Sequence, residues 1–377
     1  MIRQQSFVFE VTQRCNHDCL HCYNAWKNAA YVARPPSGES SSSSQPGAAA
    51  PYQQRPHPGA GEPHQQPDDL DTRGTLDVLG RMLDQTGASL VSLSGGEPTL
   101  RDDLLDIVGY LSGRGITINL ITNGSRLDEA LVAKLAGKIS VFELPLLSVD
   151  RNIHDRMSGA PGAFDRATMA MAELKAARQR VVGVFVATKL NLAAWPETLE
   201  LAVALGLDGV MFNRFNPGGR GAANVALLQA GPDALTRALD VADEMSARYE
   251  IPVSCSIAMP PCLFDTKRFQ RLSFGFCAAG TERAYYTLDP VGNVRPCNHS
   301  PTVLGNIRET SFASMAEGAA MRRFKAARPA FCAGCALEEQ CLGGCKAAAE
   351  ACSGDCAAMD PFLAAYHSRA RKPAVAS

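Results

Sequence analysis

Cys15-Asn16-His17-Asp18-Cys19-Leu20-His21-Cys22 packs three thiols into eight residues, in a C-x3-C-x2-C run. It follows a short apolar strand pattern, Phe7-Val8-Phe9-Glu10-Val11. Three soft thiolates at this spacing suit three corners of an iron–sulfur cube. The run has no fourth cysteine, which leaves one iron open to a small molecule. A zinc knuckle is the competing assignment, because structural zinc closes with a fourth ligand and His17 or His21 can supply one. Thiols with no ligand role are the third.

The 377-residue chain is long enough for two domains, or one large domain with an extension. At 46% hydrophobic residues it has ample material for a core, and a net charge of −1 argues against a nucleic-acid or acidic-membrane partner. Arg3, Gln4 and Gln5 precede only a strand-length apolar run. No export signal and no membrane span are read. Thirteen cysteines in a chain without an export signal point to metal before disulfide, and to a cytoplasmic location. They are clustered: three near the start, eight between Cys277 and Cys356, with only Cys255 and Cys262 between the groups.

Residues from about 34 to 71 are rich in Pro, Ser, Gly and Gln and read as a flexible insert. Beyond them strand and helix alternate. Strand patterns fall at Ser6–Val11, Leu90–Leu93, Ile116–Ile121, Ile139–Leu147, Arg180–Thr188 and Gly209–Asn213. Helical patterns fall at Leu76–Gln85, Asp102–Leu111, Arg126–Leu135, Ala163–Ala177 and Trp195–Leu205. Such α/β alternation implies parallel strands joined by crossovers, closing a partial barrel or forming a doubly wound open sheet. In both geometries ligands gather at the carboxyl ends of the strands. There lie Gly95-Gly96-Glu97, Thr122-Asn123-Gly124, Ser148-Val149-Asp150, Thr188-Lys189-Leu190-Asn191 and Asn213-Arg214, followed by Pro217-Gly218-Gly219-Arg220-Gly221. Each also reads as an ordinary turn. The helix Pro232–Tyr249 carries Leu235, Leu239, Ala242 and Met245 on one face, which is simplest as core packing. Past it the alternation stops.

Cys277 is followed by fourteen residues, Gly292, four residues and Cys297. Asp289-Pro290-Val291-Gly292 between short strand patterns signals a hairpin. Then come Cys332-x2-Cys335-x5-Cys341-x3-Cys345. A zinc ribbon accounts for Cys332 and Cys335 only.

Cys15, Cys19, Cys22 and the following Tyr23, with Gly95-Gly96-Glu97 one strand–helix unit later, resemble the radical S-adenosylmethionine (radical SAM) enzymes. The six cysteines from Cys277 to Cys345 resemble the SPASM domain appended to many of them. The resemblance implies a partial (β/α)6 TIM-type barrel over residues 1–225, a bridging helix and linker over 226–254, and a small cysteine-rich α+β domain over 255–377. It implies S-adenosylmethionine on a [4Fe–4S] cluster held by Cys15, Cys19 and Cys22. Tyr23, Gly95, Gly96, Glu97, Asn123, Ser148 and Arg214 are the implied cofactor contacts, Ser148 for the ribose. It further implies two auxiliary [4Fe–4S] clusters, the first on Cys277, Cys297 and Cys345, the second on Cys332, Cys335 and Cys341. Cys262 is expected to complete the first, with Cys255 its competitor. Leu363 stands where the family's last cysteine falls, so Cys356 is expected to complete the second, with Cys352 behind it. In sulfatase-maturing relatives an Asp follows the cysteine matching Cys297 and takes the substrate proton. Here that residue is Asn298, and a neutral amide is no base. The expected function is oxidative modification of a ribosomally made peptide, with maturation of a redox cofactor or modified tetrapyrrole as the alternative. A non-catalytic iron–sulfur carrier is a third class, against which the Gly95-Gly96-Glu97 loop argues. Expected partners are the peptide, an electron donor (a reductase, flavodoxin or ferredoxin) and a separate leader-binding protein, since little chain precedes Phe7.

Overall fold

The computed structural model describes residues 4–27 and 69–369. The expected insert falls almost wholly outside these residues. Its last part is described, and there Asp69 accepts from Thr12 Oγ1 at 2.5 Å and from the Gln13 N–H at 3.3 Å. The chain therefore rejoins the fold beside the three-cysteine loop.

Six parallel strands form the frame: β1 (Ser6–Thr12), β2 (Leu90–Gly95), β3 (Thr117–Ile121), β4 (Val141–Pro145), β5 (Val181–Ala187) and β6 (Gly209–Arg214). The helices between them are α1 (Thr72–Thr86), α2 (Leu104–Gly113), α3 (Glu129–Leu135), α4 (Arg151–Ser158), α5 (Ala163–Ala176) and α6 (Trp195–Ala204). The strands neighbour one another in sequence order. A doubly wound sheet reverses its order at a switch point, so the partial barrel is the geometry adopted. The sheet runs past six strands. After α7 (Val225–Leu228) and α8 (Pro232–Tyr249), β7 (Val253–Cys255) and β8 (Leu272–Phe274) continue it in parallel beyond β6. At the other edge β9 (Thr287–Leu288) lies parallel to β1, and β10 (Asn293–Arg295) and β11 (Gly305–Asn306) follow antiparallel. The C-terminal region adds α9 (Phe312–Ala316), α10 (Ala319–Ala326), α11 (Glu338–Cys341), α12 (Lys346–Ser353) and α13 (Pro361–Tyr366).

Period-two alternation sorts the strand side chains into two layers. Phe9, Leu93, Leu120, Phe142, Phe185 and Phe212 are fully buried in the main core. Trp195 of α6 packs on Phe185 and Phe212, with ring centroids 4.5 and 5.0 Å away. Its indole N–H donates to Ala238 O of α8 at 3.0 Å, so α8 is part of the barrel's outer layer. Short side-chain caps set the helix starts: Asp71 accepts from the Gly74 N–H and Asp128 from the Leu131 N–H, each at 2.8 Å.

The alternate strand positions face the lumen. One layer pairs Ile121, Glu143 and Val182; the next pairs Pro145, Val184 and Met211. Glu143 is the one carboxyl of these apolar layers. It has no hydrogen-bond partner among the described residues, and burial alone pushes its pKa up from 4.5 to about 7. A carboxyl that binds its proton more tightly folded than unfolded costs stability as pH rises between those two values, and the whole cost is present above about 7. Glu143→Gln is therefore expected to stabilise the protein by up to about 3 kcal/mol at pH 8 and by almost nothing at pH 4.5. Denaturant midpoints at the two pH values measure this; an equal difference at both would show the carboxyl to be solvated.

Candidate functional site

β1 delivers the three-cysteine loop to the carboxyl end of the barrel, where Cys15, Cys19 and Cys22 are each partly buried. Burial raises the Cys19 thiol, and Cys22 and Cys15 raise it further; burial raises Cys15 and Cys22 too, with the Lys27 ammonium pulling both back. Three enclosed thiols in mutual repulsion favour their anionic form only when a cation joins them, so this donor set fits a metal cluster. Among the described residues no imidazole joins the thiols in a single-metal site, although both ring nitrogens of His17 and Nδ1 of His21 are buried without a hydrogen-bond partner. His21 bonds to the Met157 backbone, and His17 and His21 both sense His154 of α4. Burial holds both neutral, with pKa values of about 4.

Backbone contacts from across the barrel clamp the loop. The Asp18 N–H donates to Ser158 O at 3.1 Å and the Leu20 N–H to Met157 O at 2.9 Å. From beyond β6, the Gly221 N–H donates to Cys22 O at 3.0 Å, and Arg220 pairs with Asp18. Gly219 has φ 44°, and a Cβ there would lie 2.2 Å from Asn24 O. The Pro217–Gly221 segment is thus a glycine-bearing cover on the cluster loop.

The second loop is bolted to the first. The Gly96 N–H donates to Thr12 O and the Glu97 N–H to Arg14 O, both at 2.8 Å. A Cβ on Gly96 would meet Arg14 O at 2.1 Å, so no larger residue fits this crossing. Glu97 is fully buried. Its Oε1 accepts from the Thr99 N–H (3.0 Å), Thr99 Oγ1 (2.6 Å) and Thr122 Oγ1 (2.6 Å), and its Oε2 from the Asn123 N–H (2.6 Å). The carboxylate pins this loop to the loop after β3 and retains one accepting position on Oε2. Asn123 Nδ2 donates to Asn16 Oδ1 at 2.8 Å, tying the same loop to the cysteine run.

Two expected cofactor contacts lie elsewhere. Ser148 is fully buried, and its Oγ accepts from the Asp150 N–H at 3.1 Å in the turn that starts α4. Arg214 is likewise enclosed: it pairs with Asp360 at 2.5 Å, donates from Nε to Ala258 O at 2.7 Å, and stacks over Phe362. It joins the barrel to α13, with Nη1 buried and without a hydrogen-bond partner among the described residues.

A polar cluster lies at the barrel mouth between the two cysteine groups. The Tyr23 hydroxyl sits between the side chains of Ser94 and Asn298, and burial pushes its pKa up to about 12. Its ring lies on that of His299, with centroids 4.1 Å apart. Asn216 Nδ2 is 3.2 Å from His299 Nδ1 and donates to Cys345 Sγ at 3.4 Å. Beneath, Glu10 pairs with Arg295, both fully buried; burial raises the Glu10 carboxyl while the guanidinium pulls it down. Glu10, Arg295, Asn216 and His299 were not singled out from sequence, although a Glu inside Phe-Val-Phe-Glu-Val is a visible signal.

Two thiol sets occupy the C-terminal region. Cys297 faces Cys345 and Cys277. Cys332, Cys335 and Cys341 line one apolar cavity. The positions of the two remaining expected ligands differ from the expected ones. Cys262 lines the cavity of the second set, its thiol raised by burial and then by Cys341, Cys332 and Cys335. Cys356 is buried in a cluster with Cys297 and Cys345 of the first set. Cys255 points from β7 into the main core, and Cys352 is exposed. Among the described residues no group of three or more His, Cys, Asp or Glu closes on a single metal ion. No described helix is long and apolar enough to cross a membrane.

The family model of the radical SAM superfamily matches residues 9–202, and that of the SPASM iron–sulfur cluster-binding domain matches residues 277–336. An AdoMet-dependent heme synthase of Methanosarcina barkeri (strain Fusaro / DSM 804) is 28% identical, over 94% of this chain and 95% of its own. A PqqA peptide cyclase of Xanthomonas axonopodis pv. citri (strain 306) is 28% identical, over 78% of this chain and 79% of its own. Among solved structures, Streptococcus suis SuiB bound to precursor peptide SuiA superposes with a TM-score of 0.69 at 14% identity, covering 96% of this chain and 76% of SuiB. anSMEcpe with bound AdoMet and Cp18Cys peptide gives 0.67 at 15% identity, covering 97% and 94%. At these identities the structural likeness speaks for the fold.

Proposed function

Since the chain belongs to the radical SAM superfamily, we propose that it oxidatively modifies side chains of a ribosomally made peptide. The observation that carries this reading is the join at the barrel mouth. Asn216 and His299 connect Tyr23, beside the three-cysteine loop, with Cys345 of an auxiliary thiol set. A net oxidation needs an exit for electrons, and this contact supplies one. Among its relatives are peptide cyclases and a heme synthase.

In this reading Cys15, Cys19 and Cys22 hold a [4Fe–4S] cluster with S-adenosylmethionine, and the residues from 255 onward hold two auxiliary clusters. When bound, that pair supplies hydrogen-atom abstraction from an unactivated C–H bond through a 5′-deoxyadenosyl radical. The protein's own residues position and enclose. Gly95 and Gly96 bring the second loop against the cluster loop, and Gly219 closes over it. Ile121, Val182, Pro145 and Val184 give the lumen an apolar wall that excludes water from a radical. The Tyr23 hydroxyl and Asn298 amide are neutral groups that orient a substrate and take no proton, which argues against sulfatase maturation. An external reductase, flavodoxin or ferredoxin supplies the electron, and a separate small protein presents the leader. Reduced thiols at this density suit the cytoplasm.

Tetrapyrrole maturation is the second reading, favoured by the end-to-end alignment with the heme synthase. Anaerobically reconstituted, reduced protein with S-adenosylmethionine is expected to form 5′-deoxyadenosine. Adding the short peptides encoded in adjoining reading frames, or an iron porphyrin, separates the readings by mass spectrometry. A peptide lighter by two hydrogens supports the first; a change confined to the porphyrin overturns it in favour of the second. No 5′-deoxyadenosine leaves only an iron–sulfur carrier.

A further inference from the structure

We propose that Cys262 is the fourth ligand of the second auxiliary cluster and Cys356 that of the first, so that both clusters are closed by four thiolates and neither has an open iron. The inference rests on the cluster-binding reading above. The expected pairing is the opposite: Cys262 with the first set because it lies just upstream of Cys277, and Cys356 with the second as the stand-in for the domain's last cysteine. The fold departs from both.

Cys262, Cys332, Cys335, Cys341 and Leu363 line one cavity. Leu363 occupies the position where a cysteine is expected from the domain's pattern, so α13 reaches the cavity but brings a side chain that cannot bind iron. Cys262 enters the same cavity from a turn in which the Leu263 and Phe264 N–H groups donate to Pro260 O at 2.9 and 3.1 Å. That turn is fastened to α13 by Phe264 on Phe362, with ring centroids 5.7 Å apart. The thiolate missing from the helix is replaced by one from the turn packed upon it.

At the other site, α12 begins at Cys345 and ends at Gly354, whose left-handed φ of 79° and N–H bond to Glu350 O turn the chain back. The return buries Cys356 with Phe324, Ala327 and Ala347, in the cluster against which Cys297 and Cys345 pack, and leaves Cys352 exposed as a residue with its thiol near Asp360 and Cys345. The Lys346 ammonium lies near both Cys277 and Cys356, a cation beside two ligands of one site. It is held by Phe324 O at 3.0 Å and Lys325 O at 2.7 Å.

Pairwise iron loss tests the assignment. Cys262→Ala, Cys332→Ala, Cys277→Ala and Cys356→Ala, with their double variants, are reconstituted anaerobically, and iron and sulfide are counted per chain. Each single variant is expected to lose about four irons, one cube. Cys262→Ala/Cys332→Ala should lose no more than Cys332→Ala alone, and Cys262→Ala/Cys277→Ala about twice as much; Cys356 should show the mirror pattern. The opposite pairing, or full iron in Cys262→Ala, overturns the proposal. Where an alanine variant does not fold, Cys262→Ser keeps an oxygen ligand. It should then shift the reduced-state electron paramagnetic resonance signal that Cys332→Ser shifts; shifting the Cys277→Ser signal instead overturns the proposal. A parent chain that takes up only about four irons sinks the functional reading itself, whereas about twelve with the opposite pairing sinks this assignment alone.

Discussion

Asp360→Ala should destabilise the protein by about 3–5 kcal/mol, read as a drop in the urea midpoint of the metal-free chain. Three jobs meet on this one fully buried carboxylate. Oδ1 accepts from the Phe362 N–H at 2.9 Å and caps α13; Oδ2 accepts from the Cys345 N–H at 2.9 Å and from Arg214 at 2.5 Å. Loss of the cap alone costs about 1 kcal/mol. The larger part comes from Arg214, whose guanidinium is enclosed at the end of β6 and would be left without its counter-ion. Asp360→Asn has one acceptor oxygen in place of two: it can keep the cap to Phe362 but then sets an amide NH2 against the Cys345 N–H and Arg214, and should cost nearly as much as alanine. Arg214→Met/Asp360→Leu removes both charges, and should be more stable than Asp360→Ala although it has two substitutions. A double variant as unstable as the sum of the singles would mean that Arg214 and Asp360 do not couple and that each acts through its other contacts. Because Asp360 also positions the Cys345 amide, its loss should loosen the first auxiliary cluster. Iron release from Asp360→Ala is then expected to be faster than from the parent.

Much of this architecture is legible before any coordinates, and for physical reasons. Buried parallel strands need continuous apolar runs, so Leu90–Gly95 and Val181–Ala187 announce themselves. Thiols spaced for a cluster must be adjacent in sequence when one loop supplies them, which is why Cys15, Cys19 and Cys22 are plain. What stayed hidden has its own causes. β7 and β8 are three residues each, too short to show a period. α4, Arg-Asn-Ile-His-Asp-Arg-Met-Ser, is mostly polar and offers no apolar stripe. Ser148 and Arg214 sit at strand ends where ligand contacts are expected, yet sequence position does not say which way a side chain turns, and both turn into the protein. Cys262 lies with Cys332, Cys335 and Cys341 for a related reason: nearness along the chain to Cys277 stands in poorly for nearness in space.

Cys19→Ala should reduce 5′-deoxyadenosine formation to the background of cluster-free protein, the largest effect on activity expected of any single change. The loop has three thiols and no fourth, and among the described residues no imidazole joins them in a single-metal site. Alanine at the middle position leaves two ligands at either end of a C-x6-C gap. Burial and its two neighbouring thiols also push Cys19 away from ionisation, which a shared metal compensates. Cys335→Ala serves as the contrast. It lies in the cavity of the second auxiliary set, across the join formed by Asn216 and Cys345 from the three-cysteine loop. That variant should lose about four irons. It should retain part of the S-adenosylmethionine cleavage, while product formation, which needs the electron to leave, falls away. Measuring iron, deoxyadenosine and modified product on both variants separates starting the radical from discharging it. If Cys335→Ala lost cleavage and product together, the auxiliary clusters would be part of the first electron's route in, and the join at Asn216 would carry current in the reverse direction.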